Sequence, residues 1–488
     1  VKIVAEHLKL FRGLLHGASR KIPLHRLAAQ SMPALGGMER PNLAGTSHYP
    51  GFRSREEAML ERFFRLAENG TTVRTEVIAG LTTFLTMSYI IFVNPEILSS
   101  TGMDRSSVFV ATCLAAALGS AVMALLANWP IGMAPGMGLN AFFAFTVVGA
   151  LGFSWQQALG AVFISGIIFV LLTVTGVRSW LIAGIPQSLR SAIAAGIGLF
   201  LGIIALKNAG IVVDNPATLV GLGDLRGTGP LLATAGFFVI AALDALRVKG
   251  SILIGILAVT VLSWITGVSA FNGVVAMPPS ISPTFLQLDI AGALHGGLVH
   301  VILVFVLVEV FDATGTLIGV AKRARLIEKG KPNRLGRALL ADSTAIVAGS
   351  LLGTSSTTAY VESASGVQAG GRTGLTALVI SALFLASLFI SPLAGSVPTY
   401  ATAPALLYVA CLMMRELVEV EWEELTEAAP AAITALAMPF TYSIANGLAF
   451  GFISYVVLKA LTGKWRDIHP ATLIVAVLFI IRFAFFAE

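Results

Sequence analysis

The chain has 488 residues, 56% of them hydrophobic and only 12% charged, with a formal net charge of +6. Soluble chains usually carry about 25% charged residues, so an ordinary soluble enzyme or binding module is excluded. The excess Lys and Arg cluster in loops and in the N-terminal stretch, which is a topology signal and does not call for nucleic acid.

Residues 1–58 are basic and rich in Pro, Gly and Ser, with no apolar core of signal-peptide length, and predict a disordered cytoplasmic tail. Met59 opens "MLERFFRLAENGTTVRTEV" and is itself a natural start, in which case the tail is an upstream reading of the start site. From Val77 onward, apolar runs of about 17–22 residues recur, each long enough to cross a bilayer as a helix. They predict an all-α polytopic membrane protein with fourteen spans. These lie near 77–98, 107–127, 136–150, 155–176, 188–209, 229–246, 250–267, 297–320, 336–352, 357–370, 373–393, 397–414, 427–442 and 445–462. A last apolar stretch, 470–486, carries Arg482 and is either a span or a helix lying in the interface. Cys113 and Cys411 each sit within an apolar segment and read as small core residues.

Basic residues fall after the even-numbered spans: Arg178 and Arg190, Arg247 and Lys249, "KRARLIEKGKPNRLGR", Arg372, Arg415, and Lys464 with Arg466. The opposite loops hold few, such as Arg105 and Arg226. This asymmetry places the N-terminus in the cytoplasm. Seven spans per half would insert the halves upside down relative to each other, as an inverted repeat.

Two segments break the apolar pattern at matching places, "IGMAPGMGLNAFFAF" (131–145) and "GTSSTTAYVESASGV" (353–367). Non-helical backbone at membrane depth survives only when buried in protein or lining a wet cavity. Pro135 removes a donor, and Gly132, Gly136 and Gly138 loosen the first segment. Thr357, Thr358 and Tyr360 favour an extended piece in the second. Two short strands could pair here, each followed by a half-helix whose free N–H groups face a ligand. The plainer reading is two kinked helices.

Glu309, Asp312 and Glu362 fall within spans, where a charge costs at least about 2.5–3.5 kcal/mol. They are functional candidates, able to accept N–H bonds from a heterocycle or to carry a coupled proton. Glu309 and Asp312 are three residues apart and share a helix face. No Lys or Arg stands in the central part of a core span to pair with them, and Lys207 lies near a span end. Asn140 offers both donor and acceptor to a purine edge, or serves as a helix cap. Asp342 suits a structural or gating role. The histidines lie in the tail, in loops or near span ends, against a histidine relay. With no Walker loop and no HExxH pair, neither an ATP-driven pump nor an intramembrane metalloprotease is expected, and no cofactor or metal.

Several long stretches resemble the AzgA-like adenine/guanine/hypoxanthine permeases, a branch of the nucleobase–cation symporter and nucleobase–ascorbate transporter superfamily. They are "TEVIAGLTTFLTMSYIIFVNPEIL", "PGMGLNAFFAF", "FDATGTLIGVA", "GTSSTTAYVESASGVQAGGRTGLTALV" and "MPFTYSIANGLAFGFISYVVLK", and the resemblance covers 59–488. It implies a core domain of spans 1–4 (59–176) and 8–11 (291–395). A gate domain would comprise spans 5–7 (177–290) and 12–14 with the C-terminal segment (396–488). It implies short strands in spans 3 and 10 with substrate between them, and proton-coupled import of purine bases across the plasma or inner membrane by alternating access. The acids on the base would be Glu309 and Glu362, and Asn140 matches a substrate-contacting Asn; of the two acids, Glu309 ahead of Glu362 is expected to gain and lose the coupled proton. Gly138, Thr358, Tyr360 and Ser363 complete the expected substrate set. The "YVES" piece departs from the uracil permeases' tyrosine–glycine–glutamate–asparagine at Val361 and Ser363. At the span-8 position Asp is common in the family, and Glu309 is one methylene longer, so either Glu309 or Asp312 faces the base. A homodimer through the gate is a further implication. The alternatives are another nucleobase (uracil or xanthine) or a small anion, which the acids would repel. A channel would need a continuous pore.

Overall fold

The computed structural model describes residues 55–294, 298–328, 331–332 and 334–485. The expected tail falls outside them except for its last residues, where a helix begins. The elements in chain order start with helices α1 (Arg55–Phe64), α2 (Val73–Met87), α3 (Ile90–Ser99) and α4 (Arg105–Val122). Strand β1 (Met133–Pro135) leads into α5 (Met137–Ala141), which widens into a π-helical stretch over Phe142–Ala150. Then come α6 (Trp155–Val174), α7 (Val177–Gly184) and α8 (Gln187–Asn208). A hairpin of β2 (Val212–Asn215) and β3 (Leu219–Leu222) precedes α9 (Thr228–Ala245), α10 (Ser251–Ile265) and α11 (Ile290–Leu294). The second half holds α12 (Val299–Arg323), the short pair β4 (Ile327–Glu328) and β5 (Lys331–Pro332), and α13 (Leu335–Leu352). Strand β6 (Thr357–Ala359) leads into α14 (Ser363–Gln368) and then α15 (Gly374–Ser387), α16 (Ser391–Gly395) and α17 (Thr399–Met414). The chain closes with α18 (Leu425–Phe440), α19 (Ile444–Leu461) and α20 (Pro470–Phe485).

Polar residues punctuate the apolar runs. Thr72, Asp104, Ser154, Thr373 and Ser443 cap the helices that follow them, and Ser154 with Gln157 forms a reciprocal capping box. Each cap satisfies an N–H group that the first helical turn leaves without an internal partner. Among the described residues, ten helical segments are long and apolar enough to cross a membrane; four shorter apolar ones cover Met137–Ala150, Ser251–Ile265, Leu425–Phe440 and Pro470–Ala484. The chain is a multi-pass membrane protein. Large apolar side chains such as Phe238 and Ile265 stand exposed, as an outer surface against lipid requires. Cys411 belongs to that surface, so the expectation of a buried cysteine holds only for Cys113; a helix face turned to lipid can be apolar without being covered by protein.

Two helix sets emerge from the packing. In one, α15 packs on α2 and α4, and α13 packs on α4 and α6, with α12 against α6. In the other, α8 packs on α17 and α18, α9 on α10 and α17, and α19 on α18 and α20. At the heart of the first set, β1 and β6 pair antiparallel, with Met133 opposite Ala359, Ala134 opposite Thr358 and Pro135 opposite Thr357. The pairing answers the backbone problem posed by irregular chain at membrane depth. The Gly136 N–H donates to Ser356 O at 2.8 Å and the Tyr360 N–H to Gly132 O at 3.0 Å, extending the ladder at both ends. The two small hairpins, β2–β3 and β4–β5, have no counterpart in the sequence expectations.

Candidate functional site

The strand crossing is tied together by side chains from both interrupted segments. Ser363 is fully buried and its Oγ accepts the Gly132 N–H at 3.0 Å. The Tyr360 hydroxyl donates to Pro135 O at 2.6 Å. Thr358 donates to Asp342 Oδ1 at 3.2 Å. These three expected substrate residues therefore have hydroxyls engaged in holding the crossing. Asn140 is fully buried; its Oδ1 accepts a bond from Ser355, and its Nδ2 has no partner. An unpaired buried amide donor is costly, which makes the Asn140 Nδ2 a candidate donor to a ligand.

The half-helix after β6 differs from expectation. The Ser363, Ala364 and Ser365 N–H groups donate to Tyr360 O, Val361 O and Glu362 O at 3.1, 3.0 and 2.9 Å. Short i→i−3 bonds have used the donors that a free helix start would present.

The acids divide by access. Glu362 and Asp312 are half-buried, whereas Glu309 and Asp342 are completely buried. Tyr89, in the break between α2 and α3, donates its hydroxyl to Glu362 Oε1 at 2.8 Å. Ser365, one turn on, bonds Glu362 O at 2.7 Å and Thr86 Oγ1 at 2.9 Å. Asp312 reaches over the turn at Gly136: a Cβ built there would lie 3.7 Å from Asp312 Oδ2 and 2.9 Å from Thr358 Cγ2. Gly138 is a second enforced glycine, since its Cβ would stand 2.6 Å from Ile197 Cγ2 on α8, where the two helix sets meet. Glu309, on the same helix as Asp312, points elsewhere. Ser165 of α6 donates to its Oε1 at 3.4 Å and the Ser356 hydroxyl also bears on the carboxyl, while among the described residues its Oε2 has no hydrogen bond of good geometry.

One base does stand near these acids, outside the expected spans and paired with Asp342 rather than with Glu309, Asp312 or Glu362. Arg178 is completely buried and pairs with Asp342 Oδ2 at 3.1 Å. It also donates to Leu339 O at 3.2 Å and Thr314 Oγ1 at 3.3 Å, and its guanidinium lies 4.0 Å from the centre of the Phe169 ring. In sequence it reads as a loop arginine after an apolar run. In the fold the short α7 turns it inward, where burial is offset by the ion pair. Tyr89 was missed as well; its one sequence signal is the polar Ser88–Tyr89 pair interrupting an apolar stretch. Two concavities lie away from this centre. One, of about 350 Å³, is lined by Arg105, Asn272 and Tyr400 among others; the second, of about 200 Å³, lies beside His300, Tyr442 and Arg482.

Comparison with known proteins places this arrangement. The Permease family model matches residues 74–450. The chain belongs to that family. Adenine permease AdeP of Escherichia coli is 54% identical over 440 residues, covering 90% of this chain and 99% of that protein. Guanine/hypoxanthine permease PbuO of Bacillus subtilis is 46% identical over 429 residues, covering 86% and 99%. Among solved structures, the transmembrane domain of the cyanobacterial bicarbonate transporter BicA superposes with a TM-score of 0.59 at 15% identity, covering 78% of this chain and 97% of that one. At that identity the likeness concerns the fold alone. The permease thus combines a transporter fold with a strand crossing flanked by acids.

Proposed function

We propose that this permease imports purine nucleobases, driven by the proton gradient. The observation that carries the reading is the pair of half-buried carboxylates, Glu362 and Asp312, beside the strand crossing and the unpartnered Asn140 amide. Near-full-length relatives named as adenine and guanine/hypoxanthine permeases support the substrate class. A purine offers ring and exocyclic N–H donors to carboxylates and a ring nitrogen acceptor to an amide N–H. Glu362 accepts from the base with its orientation fixed by Tyr89, and Asn140 holds the other edge. Access favours Asp312 over Glu309 as the second contact, because Glu309 is sealed behind Ser165. Glu309 is the better candidate for the coupled proton, since it is sealed from solvent and can hold one without touching the base. Gly138 lets the gate approach the site; Thr358, Tyr360 and Ser363 hold its walls.

The proposed architecture is fourteen spans in a seven-plus-seven inverted repeat, with a cytoplasmic N-terminus. Two strand-then-half-helix units meeting antiparallel support the repeat. The two helix sets support a core of 59–176 with 291–395 and a gate of 177–290 with 396–488. In this arrangement the core moves against the gate to alternate access, and a homodimer would form through the gate.

The test is uptake of radiolabelled adenine, guanine and hypoxanthine in cells lacking their own purine transporters, with and without a protonophore. The reading expects saturable accumulation that collapses with the gradient. Uptake indifferent to the protonophore would remove the coupling, and no uptake of any base by protein present in the membrane would remove the substrate class.

A further inference from the structure

The buried Arg178–Asp342 pair sits where the two helix sets join. Arg178 lies at the start of α7, the only stretch between α6 of one set and α8 of the other. Its guanidinium is fixed to the first set alone, through Asp342, Leu339 O, Thr314 and the Phe169 ring. The far end of α7 is held by the second set: Gly184 O accepts the Thr472 hydroxyl of α20 at 2.6 Å, and the Trp180 and His469 rings lie 5.5 Å apart. The segment is thus an arm clamped at both ends to different bodies. At its Arg178 end the chain of contacts continues inward. Asp342 uses one oxygen for Arg178 and the other for Thr358 Oγ1, and Thr358 lies opposite Ala134 across the strand pair.

We propose that Arg178 is a positioning residue for transport: through Asp342 and Thr358 it ties the arm that joins the two helix sets to the strand crossing. The inference rests on the reading of the chain as a purine carrier, and it adds the link by which relative motion of the sets reaches the site. An ion pair retained only for stability would be poorly motivated, because well-packed apolar residues often serve as well or better at such places. A guanidinium adds a planar fork of donors that fixes several acceptors in one geometry, which is what a rigid link needs.

The experiment compares Arg178→Gln, Thr358→Val and the double variant. Adenine uptake is measured per folded molecule at the membrane, and adenine binding is measured on purified protein. Each single variant is expected to lower the maximal rate at least tenfold, Arg178→Gln with binding changed less than threefold, and the double variant to be no slower than the slower single. Rates within twofold of the parent, losses that multiply in the double variant, or affinity falling in step with rate in Arg178→Gln would each overturn the link. Hydrogen exchange on the purified protein without substrate gives a readout independent of transport. The peptide spanning 353–362 should exchange at least tenfold faster in Arg178→Gln, while 425–440 stays unchanged. Unchanged exchange at 353–362 overturns the proposal whatever the protein carries. If the parent takes up no purine, the carrier reading falls and exchange alone decides the link. Arg178→Lys, which keeps charge but not the fork, is the milder variant and should slow uptake at least threefold. If neither Arg178 variant folds, Thr358→Val decides by its rate and by exchange at 353–362.

Discussion

Replacing Glu362 by Gln tests the central contact at nearly constant shape. In the parent, the Tyr89 hydroxyl occupies Oε1 at 2.8 Å, leaving the other oxygen to a base N–H. A hydrogen bond to a charged group contributes about 1.5–3 kcal/mol, against about 0.5–1.5 for a neutral one. In the variant, Tyr89 draws the amide oxygen to itself, so the amide NH2 faces the base donor. The loss is one charge-assisted bond plus an opposed pair of donors, about 2–3 kcal/mol, or about 30- to 150-fold in affinity. Initial rates of labelled adenine uptake over a concentration series, normalised to protein in the membrane, read this as a raised KM. Glu362→Asp draws the carboxylate back by roughly one C–C bond, about 1.5 Å, and should be impaired despite keeping its charge. A Glu362→Gln variant with KM within threefold of the parent would refute the assignment of this carboxylate to the base.

Three further outcomes follow from the contacts. Tyr89→Phe removes the bond that orients Glu362 and should raise KM about 5- to 10-fold, the equivalent of about 1–1.5 kcal/mol, with the maximal rate retained in the same uptake assay. Glu76 is fully buried and caps α15, accepting from the Arg372, Thr373 and Thr376 N–H groups at 2.8, 3.2 and 3.2 Å and from Thr376 Oγ1 at 2.6 Å. Glu76→Ala strands those donors and should cost about 3 kcal/mol or more, seen as early unfolding in a detergent melt monitored by size-exclusion chromatography. Asp104 caps α4 and is held below the usual carboxylate range chiefly by the Ser106 and Ser107 hydroxyls. Asp104→Ala should cost about 1 kcal/mol. Because the folded-state pKa is depressed, the cap's contribution is full above the unfolded value of about 3.9 and fades only as pH falls below it. The penalty should therefore be equal at pH 5 and pH 8 in the same melt, and a penalty that disappeared at pH 5 would contradict the cap's ionised state.

What the sequence disclosed follows from what membranes forbid. Long apolar runs have one reading in lipid, and among the described residues ten helical segments are long and apolar enough to cross a membrane. Breaks in those runs are equally conspicuous, and "IGMAPGMGLN" and "GTSSTTAYVE" fall at β1 and β6. Acids within apolar runs announce themselves by their cost, which brought Glu309, Asp312 and Glu362 forward. Relations across the chain were not legible. Tyr89 and Glu362 are 273 residues apart and meet only because α2 breaks before α3. Arg178 obeys the positive-inside pattern in sequence, yet burial and an acid 164 residues away decide its place. The donors at the start of α14 illustrate a different limit. A half-helix start can leave its N–H groups free or close them with short-range bonds, and the choice depends on local backbone angles that composition does not set.

The electrostatics of the centre sharpen the division of labour among its acids. Among the described residues, Arg178 is the base paired with any of the four, and it pairs with Asp342. That pair is neutral as a unit and can travel with a moving core at little Coulombic cost. Glu362 and Asp312 are half-buried, and on the proposed reading base N–H groups take the place of water on them. Glu309 is sealed from solvent and has hydroxyl contacts alone, from Ser165 and Ser356, among the described residues. An uncompensated charge in a low-dielectric interior is expensive. On the proposed reading, a proton on Glu309 removes that charge before the core moves. The proposed site of the coupled proton is thus the acid that the fold seals from solvent and leaves with hydroxyl contacts alone.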